Sequence, residues 1–204
     1  FTEHFGNASS RNHPFGWKAG KAVEHAREQV ASLIGGRLRD VVFTSGATES
    51  NNLAIKGAAA AAPDSRRHIV TICTEHRAVL DPCGTLDREG FRLTYLDVDR
   101  DGRLDLDRLR EAVGDGTLLV SAMSANNEIG VLHPLREIAD IAHEHGALFH
   151  CDAVQSAGQV RVNVREIGID LLSLSAHKLY GPKRAGALFV AKRQPPIALE
   201  PLIH

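Results

Sequence analysis

Leu171-Leu-Ser-Leu-Ser-Ala-His-Lys178 is an apolar run that ends directly in a polar cluster. Such a run is typical of a strand that is buried on both faces of a parallel sheet. The same change from apolar to polar residues occurs earlier, in Ala147-Leu-Phe-His-Cys-Asp152. The repeated pattern predicts several strands whose polar ends lie at one edge of a sheet.

The remaining chain continues this alternation. Short runs of β-type composition predict strands at 41–44, 69–72, 93–98, 118–122, 147–151, 171–174 and 187–190. Most of these runs are separated by helical patterns, which lie at 17–34, 47–62, 104–113 and 135–144. The chain therefore predicts an α/β fold with a mostly parallel sheet and helices on both faces.

Composition and charge limit the classes of function. The chain has 204 residues, of which 43% are hydrophobic and 24% charged, as in ordinary globular proteins. The net charge of -1 argues against an anionic membrane surface or direct nucleic-acid binding. No apolar run is long enough to span a bilayer. Three cysteines are too few for a disulfide framework and favour a reducing compartment, so we expect a cytoplasmic protein.

Five polar clusters follow predicted strands. They lie at 45–48, 74–76, 126–128, Asp152 and 175–178. In open α/β sheets, ligands bind beyond the carboxyl ends of the strands. We therefore expect the five clusters to line one ligand site.

Lys178 and Asp152 indicate what this ligand is. A lysine amine can form an imine with the aldehyde of pyridoxal phosphate, and an aspartate can keep its ring nitrogen protonated as an electron sink. We expect Lys178 to be desolvated, because desolvation favours the unprotonated amine that this chemistry needs. Taken alone, either residue has an alternative: an exposed loop lysine, or an aspartate paired with a surface cation.

The other clusters contain groups that suit the rest of this cofactor. Gly46 allows a tight turn into a helix whose first amides, with the Thr48 hydroxyl, can bind a phosphate; ordinary helix capping is the alternative. His76 can stack on a flat ring and exchange protons near neutral pH, although most histidines do neither. Asn127 and Gln155 carry amides that can bind a phenolic oxygen or a carboxylate, with loop capping as the alternative.

A metal site is not predicted. Two histidine-rich segments, His143-Glu-His145 and His150-Cys-Asp152, contain metal-ligand residue types. However, histidines two residues apart on a helix do not share a face, and successive strand residues point to opposite sides. Neither spacing matches a zinc motif.

Five motifs at these positions are specific when taken together. They are Phe43-Thr-Ser-Gly-Ala-Thr-Glu-Ser-Asn-Asn52, Thr74-Glu-His-Arg-Ala-Val79, Asn126-Asn-Glu-Ile-Gly-Val131, Cys151-Asp-Ala-Val-Gln-Ser156 and Ser173-Leu-Ser-Ala-His-Lys-Leu-Tyr-Gly-Pro-Lys183. They resemble the motifs of the cysteine desulfurases, which are fold-type I pyridoxal-phosphate enzymes of the class V aminotransferase type. The last motif looks like the group that serves iron–sulfur cluster assembly and thiolation.

The resemblance implies that L-cysteine is converted to L-alanine, with the sulfur passed to an enzyme persulfide and on to a protein acceptor. It assigns catalysis to Lys178, which would hold the cofactor and take the Cα proton, and to His76, which would stack on the ring as acid and base. It further implies contacts of the ring nitrogen with Asp152, the phenolate with Gln155, the substrate carboxylate with Asn127, and the phosphate with Ala47, Thr48, Ser175 and His177.

The resemblance also implies a homodimer and a large domain over residues 1–190, followed by an exit segment over 191–204. From the resemblance we expect the amino-terminal strand, the small domain and the loop with the persulfide cysteine to lie outside these 204 residues. We therefore expect these residues alone to bind the cofactor without completing sulfur transfer. Arg184 stands where the family usually has glycine, and we expect it to crowd that turn.

Three alternatives to a cysteine desulfurase remain at this point. The first is another class V enzyme, such as a selenocysteine lyase or an aminotransferase. The second is a non-catalytic interaction protein that kept this domain. The third is an α/β domain without any cofactor, which predicts a colourless protein.

Overall fold

A computed structural model describes residues 5–203. Residues 1–4 of the predicted domain and His204 of the predicted exit segment lie outside this range. Seven strands form one sheet: β1 Val41–Thr44, β2 His68–Ile72, β3 Arg92–Leu96, β4 Thr117–Met123, β5 Leu148–Asp152, β6 Leu171–Ser175 and β7 Gly186–Val190. All seven lie where the sequence predicts strands, within a few residues at their ends.

The sheet has the order β1-β7-β6-β5-β4-β2-β3. Strand β7 is antiparallel to both of its neighbours, and the other adjacent pairs are parallel. The predicted mostly parallel sheet is thus confirmed. Because β1, β4, β5 and β6 run in the same direction, their carboxyl ends share one edge.

The helices are α1 Pro14–Leu33, α2 Ala47–Asn52, α3 Ala58–Ala60, α4 Arg77–Arg88, α5 Leu106–Ala112, α6 Leu135–Glu144 and α7 Val164–Ile167. A π-helical segment, Leu53–Gly57, joins α2 to α3 and makes 47–60 one continuous helix with a widened turn. Helix α1 begins three residues before its predicted start, because the His13 ring accepts a hydrogen bond from Gly16 N and caps it.

Helix α4 was not predicted from the sequence. Pro82 and Gly84 lower its intrinsic helix propensity. The buried side chains of Val79, Cys83 and Leu86 nevertheless lie three or four residues apart, on one face of the helix. Packing of this face against the sheet outweighs the weak local propensity.

Two hydrophobic clusters cover the two faces of the sheet. Alternation along the strands divides them, since Ile69 belongs to one cluster and Val70 to the other. Helix α6 contributes Ile138 and Ile141 to the first, and the π segment contributes Ile55 to the second. The predicted cover of helices on both faces is therefore confirmed. No helix within residues 5–203 is long and apolar enough to cross a membrane.

The described part of the predicted exit segment packs against this domain. Ile197 and Leu199 contact the second cluster, and Glu200 N donates a 3.0 Å hydrogen bond to Gly57 O in the π segment. An added Cβ at Gly57 would lie 2.9 Å from Glu200 O, so the glycine allows this close approach.

Candidate cofactor site

One cavity of about 480 Å³ lies at the edge of the sheet where the parallel strands end. All nine residues predicted from the sequence line it: Ala47, Thr48, His76, Asn127, Asp152, Gln155, Ser175, His177 and Lys178. They come from five separate stretches of the chain. The structure thus brings polar residues from the strand ends together at one cavity.

Asp152 is the last residue of β5, and its carboxylate is buried. Its Oδ2 accepts a 2.8 Å hydrogen bond from Asn51 Nδ2, and its Oδ1 accepts a 3.0 Å bond from Val154 N. Both donors are neutral, and no cation within residues 5–203 forms an ion pair with Asp152. Burial raises the pKa of this carboxyl, and the Asn51 hydrogen bond opposes that rise. A positively charged ring nitrogen is the kind of partner such a group lacks.

Asn51 is a site residue that the sequence analysis missed. It is fully buried, it lines the cavity, and its Oδ1 has no hydrogen-bond partner in the described part of the chain. Its position four residues after Ala47 places both on one face of the helix. The spacing places Asn51 on the cavity face of the helix, but its bond to Asp152 joins distant parts of the chain and could not be predicted from the sequence.

The helix that begins at Ala47 supplies the phosphate end of the cavity. Gly46 has φ 154° and ψ 179°, a backbone conformation that favours glycine. An added Cβ there would meet nothing within 4 Å, so backbone conformation alone requires the glycine. The first amides of a helix have no partner inside it and can face an anion. Glu49 Oε2 accepts a 2.7 Å hydrogen bond from Ser45 N. Hydrogen bonds from Ser45 lower the pKa of the Glu49 carboxyl.

Lys178 lies in a single 3-10 turn, Ala176–Lys178, that follows β6. Ser175 is buried, and its Oγ lies 2.7 Å from His177 Nδ1. The Lys178 side chain itself is exposed. The expectation that it is desolvated was therefore wrong: the turn carries the lysine off the buried strand end and into the open cavity.

The three remaining predicted residues lie on loops at the same edge. His76 caps α4, and its Nδ1 accepts a 3.0 Å hydrogen bond from Ala78 N, which assigns the proton of the neutral ring to Nε2. Asn127 is exposed, and Gln155 is half-buried. The neighbouring Asn126 holds the Asn127 loop, since its Oδ1 accepts hydrogen bonds from the amides of Glu128 and Ile129.

Lys183 and Arg184 complete the cavity wall on the side of β7. Arg184 has φ 63°, in the left-handed region that favours glycine. An arginine at this position therefore strains the backbone of the turn.

The histidines of the two histidine-rich segments have other partners. His143 Nε2 lies 2.8 Å from Asp170 Oδ2, and His150 lies between Ser121 Oγ at 2.8 Å and Ser173 Oγ at 3.1 Å. Between residues 5 and 203 there is no group of three or more histidine, cysteine or acidic residues that could hold a metal ion.

Comparison with known proteins places the chain in a family. The model of the aminotransferase class-V family matches residues 1–202. The chain belongs to the class-V aminotransferase family. The predicted fold and the class V resemblance are thereby confirmed.

Individual relatives of this class-V chain carry a more specific name. Cysteine desulfurase IscS of Ehrlichia chaffeensis is 53% identical over 204 residues, which are 100% of this chain and 50% of the relative. Cysteine desulfurase IscS of Anaeromyxobacter sp. (strain Fw109-5) is 56% identical over 199 residues, 98% of this chain and 49% of the relative. The chain spans about half the length of the curated relatives it matches.

A solved structure described as "SspA in complex with cysteine" is also similar to this chain, with a TM-score of 0.94 and 41% sequence identity. The match covers 100% of this chain and 58% of that structure. The cavity residues fit pyridoxal phosphate, the cofactor of this family: a buried carboxylate lacks a cation, a glycine turn begins a helix, and an amine lies at the same cavity.

Proposed function

We propose that this protein is a pyridoxal-phosphate-dependent cysteine desulfurase, and that the residues of this chain hold the cofactor. The observation that carries the proposal is Asp152, a buried carboxylate with neutral donors only, in the same cavity as the Lys178 amine. A carboxylate in this position can hold a charged heterocycle, and an amine at the same cavity can hold an aldehyde.

The other cavity residues would orient the cofactor. The amides at the start of α2 and the side chains of Thr48, Ser175 and His177 would bind its phosphate, with Ala47 at the first helical position. Gln155 would donate its amide to the phenolic oxygen, and Asn127 would lie at the substrate carboxylate. The exposed Lys183 adds positive charge near the phosphate end.

The chemistry divides between the cofactor and two side chains. Pyridoxal phosphate, when bound, supplies an electron sink for negative charge at the substrate Cα. Lys178 Nζ would accept the proton from that Cα and return it. His76 would cover one face of the ring and exchange a proton through Nε2, because Nδ1 is held by the Ala78 amide.

L-cysteine is the proposed substrate, and its sulfur is proposed to pass to an enzyme persulfide and then to a protein acceptor. The names of the IscS relatives and the cysteine complex of SspA support this choice. We also propose a homodimer, as the sequence resemblance implies. Light scattering on the complete gene product tests that assembly: twice the chain mass is expected, and a monomer contradicts it.

The activity is tested on the complete gene product loaded with pyridoxal phosphate. We expect L-cysteine to yield alanine and, with a thiol reductant, sulfide, and we expect Lys178→Ala to abolish both. Lys192→Ala, a change of an exposed lysine outside the cavity, is the matched control and keeps the activity. Absence of alanine from the wild-type protein, or its release by Lys178→Ala, contradicts the proposal. Amino transfer to a keto acid without alanine release identifies an aminotransferase instead.

A further inference from the structure

Glu75 is a second buried carboxyl group close to the cavity, and it does not line the cavity itself. Its side chain is 5% exposed. Oε1 accepts a short hydrogen bond from Met123 N, and Oε2 has no hydrogen-bond partner within residues 5–203. No cation in this range forms an ion pair with it. A carboxylate buried in this way is costly unless it keeps its proton.

The titratable groups that interact with Glu75 are all acids. Asp152 and Cys151 on β5 and Cys83 on α4 are the titratable groups that interact with it, and none can become a cation. Burial and, to a smaller extent, the charge of Asp152 raise the pKa of Glu75 to about 8, although the Met123 hydrogen bond opposes the rise. His76, the next residue in the chain, acts on Asp152 and lowers its pKa.

The two buried carboxyl groups differ in the number of hydrogen bonds that they accept. Asp152 accepts bonds from Asn51 and Val154, whereas Glu75 accepts one bond, from the Met123 amide. When two neighbouring carboxyls disfavour each other's ionisation, the better-solvated group ionises at the lower pH. That group is Asp152, because it has two donors and borders the cavity.

Glu75 also joins two parts of the site. Met123 is the last residue of β4, pairs with Asp152 in the sheet register and lines the cavity. Glu75 directly precedes His76, so its bond to Met123 ties the segment that carries His76 to the strand beside Asp152. Asn126 strengthens this connection, since its Nδ2 donates a 3.0 Å bond to Thr74 O.

We propose that Glu75 is a positioning residue that stays protonated at neutral pH, fixes His76 and the end of β4 to each other, and leaves the negative charge next to the cavity on Asp152. The proposal concerns the site of the proposed function and rests on it for the identity of the ligand. Its first test needs no ligand.

The first test compares unfolding temperatures of the protein without cofactor at about pH 5 and about pH 8.5. The pKa of Glu75 is about 8 in the folded protein and 4.5 in the reference state, so wild type loses stability as pH rises through this window. Glu75→Gln is neutral throughout, so its unfolding temperature relative to wild type should rise by about 3 °C or more between the two pH values. Glu111→Gln, an exposed control, should follow wild type. Parallel curves for Glu75→Gln and wild type overturn the proposal.

The second test titrates wild type, Glu75→Gln and Glu75→Ala with pyridoxal phosphate at neutral pH. Glu75→Gln keeps a neutral acceptor for Met123 N and should bind within about threefold of wild type, whereas Glu75→Ala leaves that amide unpaired and should bind about tenfold more weakly. If Glu75→Gln binds as weakly as Glu75→Ala, a charged Glu75 is required and the proposal fails. If wild type binds no pyridoxal phosphate, the proposed function fails, and the unfolding comparison still tests Glu75.

Discussion

Asp152 is the side chain on which the chemistry of this site depends. Its two hydrogen-bond donors, Asn51 and Val154, satisfy the carboxylate without neutralising it. The buried negative charge is therefore available to a cationic ligand in the cavity. This arrangement distinguishes a ligand-binding carboxylate from one that only caps a strand.

Asp152→Asn should weaken the binding of pyridoxal phosphate about 10- to 100-fold, because a hydrogen bond to a charged partner is replaced by a neutral one. The measurement is an absorbance titration of the protein without cofactor. Asp64→Asn, which changes an exposed carboxylate, is the control and should bind as wild type does. Equal affinity of Asp152→Asn and wild type would show that Asp152 does not contact the ring nitrogen.

Arg184→Gly should be more stable than Arg184→Ala by about 1 kcal/mol. Glycine has no Cβ and adopts φ 63° without the strain that alanine would have there. Both variants lose the guanidinium, so the comparison isolates the backbone. Chemical denaturation at neutral pH provides the measurement. Equal midpoints for the two variants would mean that the turn relaxes around a side chain.

Among single residues, the sequence could identify those that follow buried strands. Asp152 and Lys178 are polar groups at the ends of apolar runs, and that contrast is visible without a structure. Asn51 and Glu75 could not be assigned in the same way, since their roles depend on partners far along the chain, Asp152 and Met123. The exposure of Lys178 was also out of reach, because it depends on the 3-10 turn.

Helix α2 is the element that prepares the phosphate end, and its turn depends on the backbone of Gly46. Gly46→Ala should weaken the binding of pyridoxal phosphate about tenfold, because alanine does not readily adopt φ 154° and the first helical amides would be displaced. Gly84→Ala is the matched control: its added methyl group also meets nothing within 4 Å, but its backbone is helical. It should bind the cofactor as wild type does and be slightly more stable. Equal affinities for the two variants contradict the role of this turn.

Prediction of the helices and strands succeeded where periodicity and local composition agreed. Helix α6 has the predicted bounds, 135–144, because its apolar positions recur with helical spacing. Helix α4 was missed because Pro82 and Gly84 mask its buried stripe. The π segment at 53–57 could not be predicted from the sequence. Its hydrogen bonds join residues about five apart instead of four, and this single widened turn leaves no distinct apolar pattern.

The sheet as a body depends on buried polar bridges between its strands as well as on its apolar clusters. His150 is fully buried on β5 and joins Ser121 of β4 to Ser173 of β6. Burial lowers its pKa to about 3, so the folded protein keeps this ring neutral. The order of the strands, with β7 inserted antiparallel between β1 and β6, was not predictable from local patterns because it is fixed by contacts between distant segments.

His150→Gln should be less stable than wild type at about pH 7.5, and this difference should narrow as the pH falls. Below pH 6.5 His150 is protonated in the unfolded wild type, whereas in the folded protein it stays neutral down to about pH 3. As the pH falls through this range, the free energy of unfolding of wild type therefore decreases by about 1.4 kcal/mol per pH unit from this group. Denaturant titrations between about pH 7.5 and 4.5 measure the difference in the free energy of unfolding between the variant and wild type. His25→Gln, at an exposed position, should show no such convergence. If the difference in stability between His150→Gln and wild type does not change with pH, the buried His150 ring is not held neutral.

Lys178 and Asp152 are proposed to hold opposite parts of one pyridoxal phosphate molecule. Borohydride reduction of the protein after incubation with the cofactor fixes the cofactor to the amine that holds it, and peptide mass spectrometry locates that amine. We expect the added pyridoxyl mass on Lys178 in wild type, and a large loss of labelling in Asp152→Asn at limiting cofactor concentration. Labelling of other lysines with Lys178 unmodified, or labelling that does not depend on Asp152, would contradict the account.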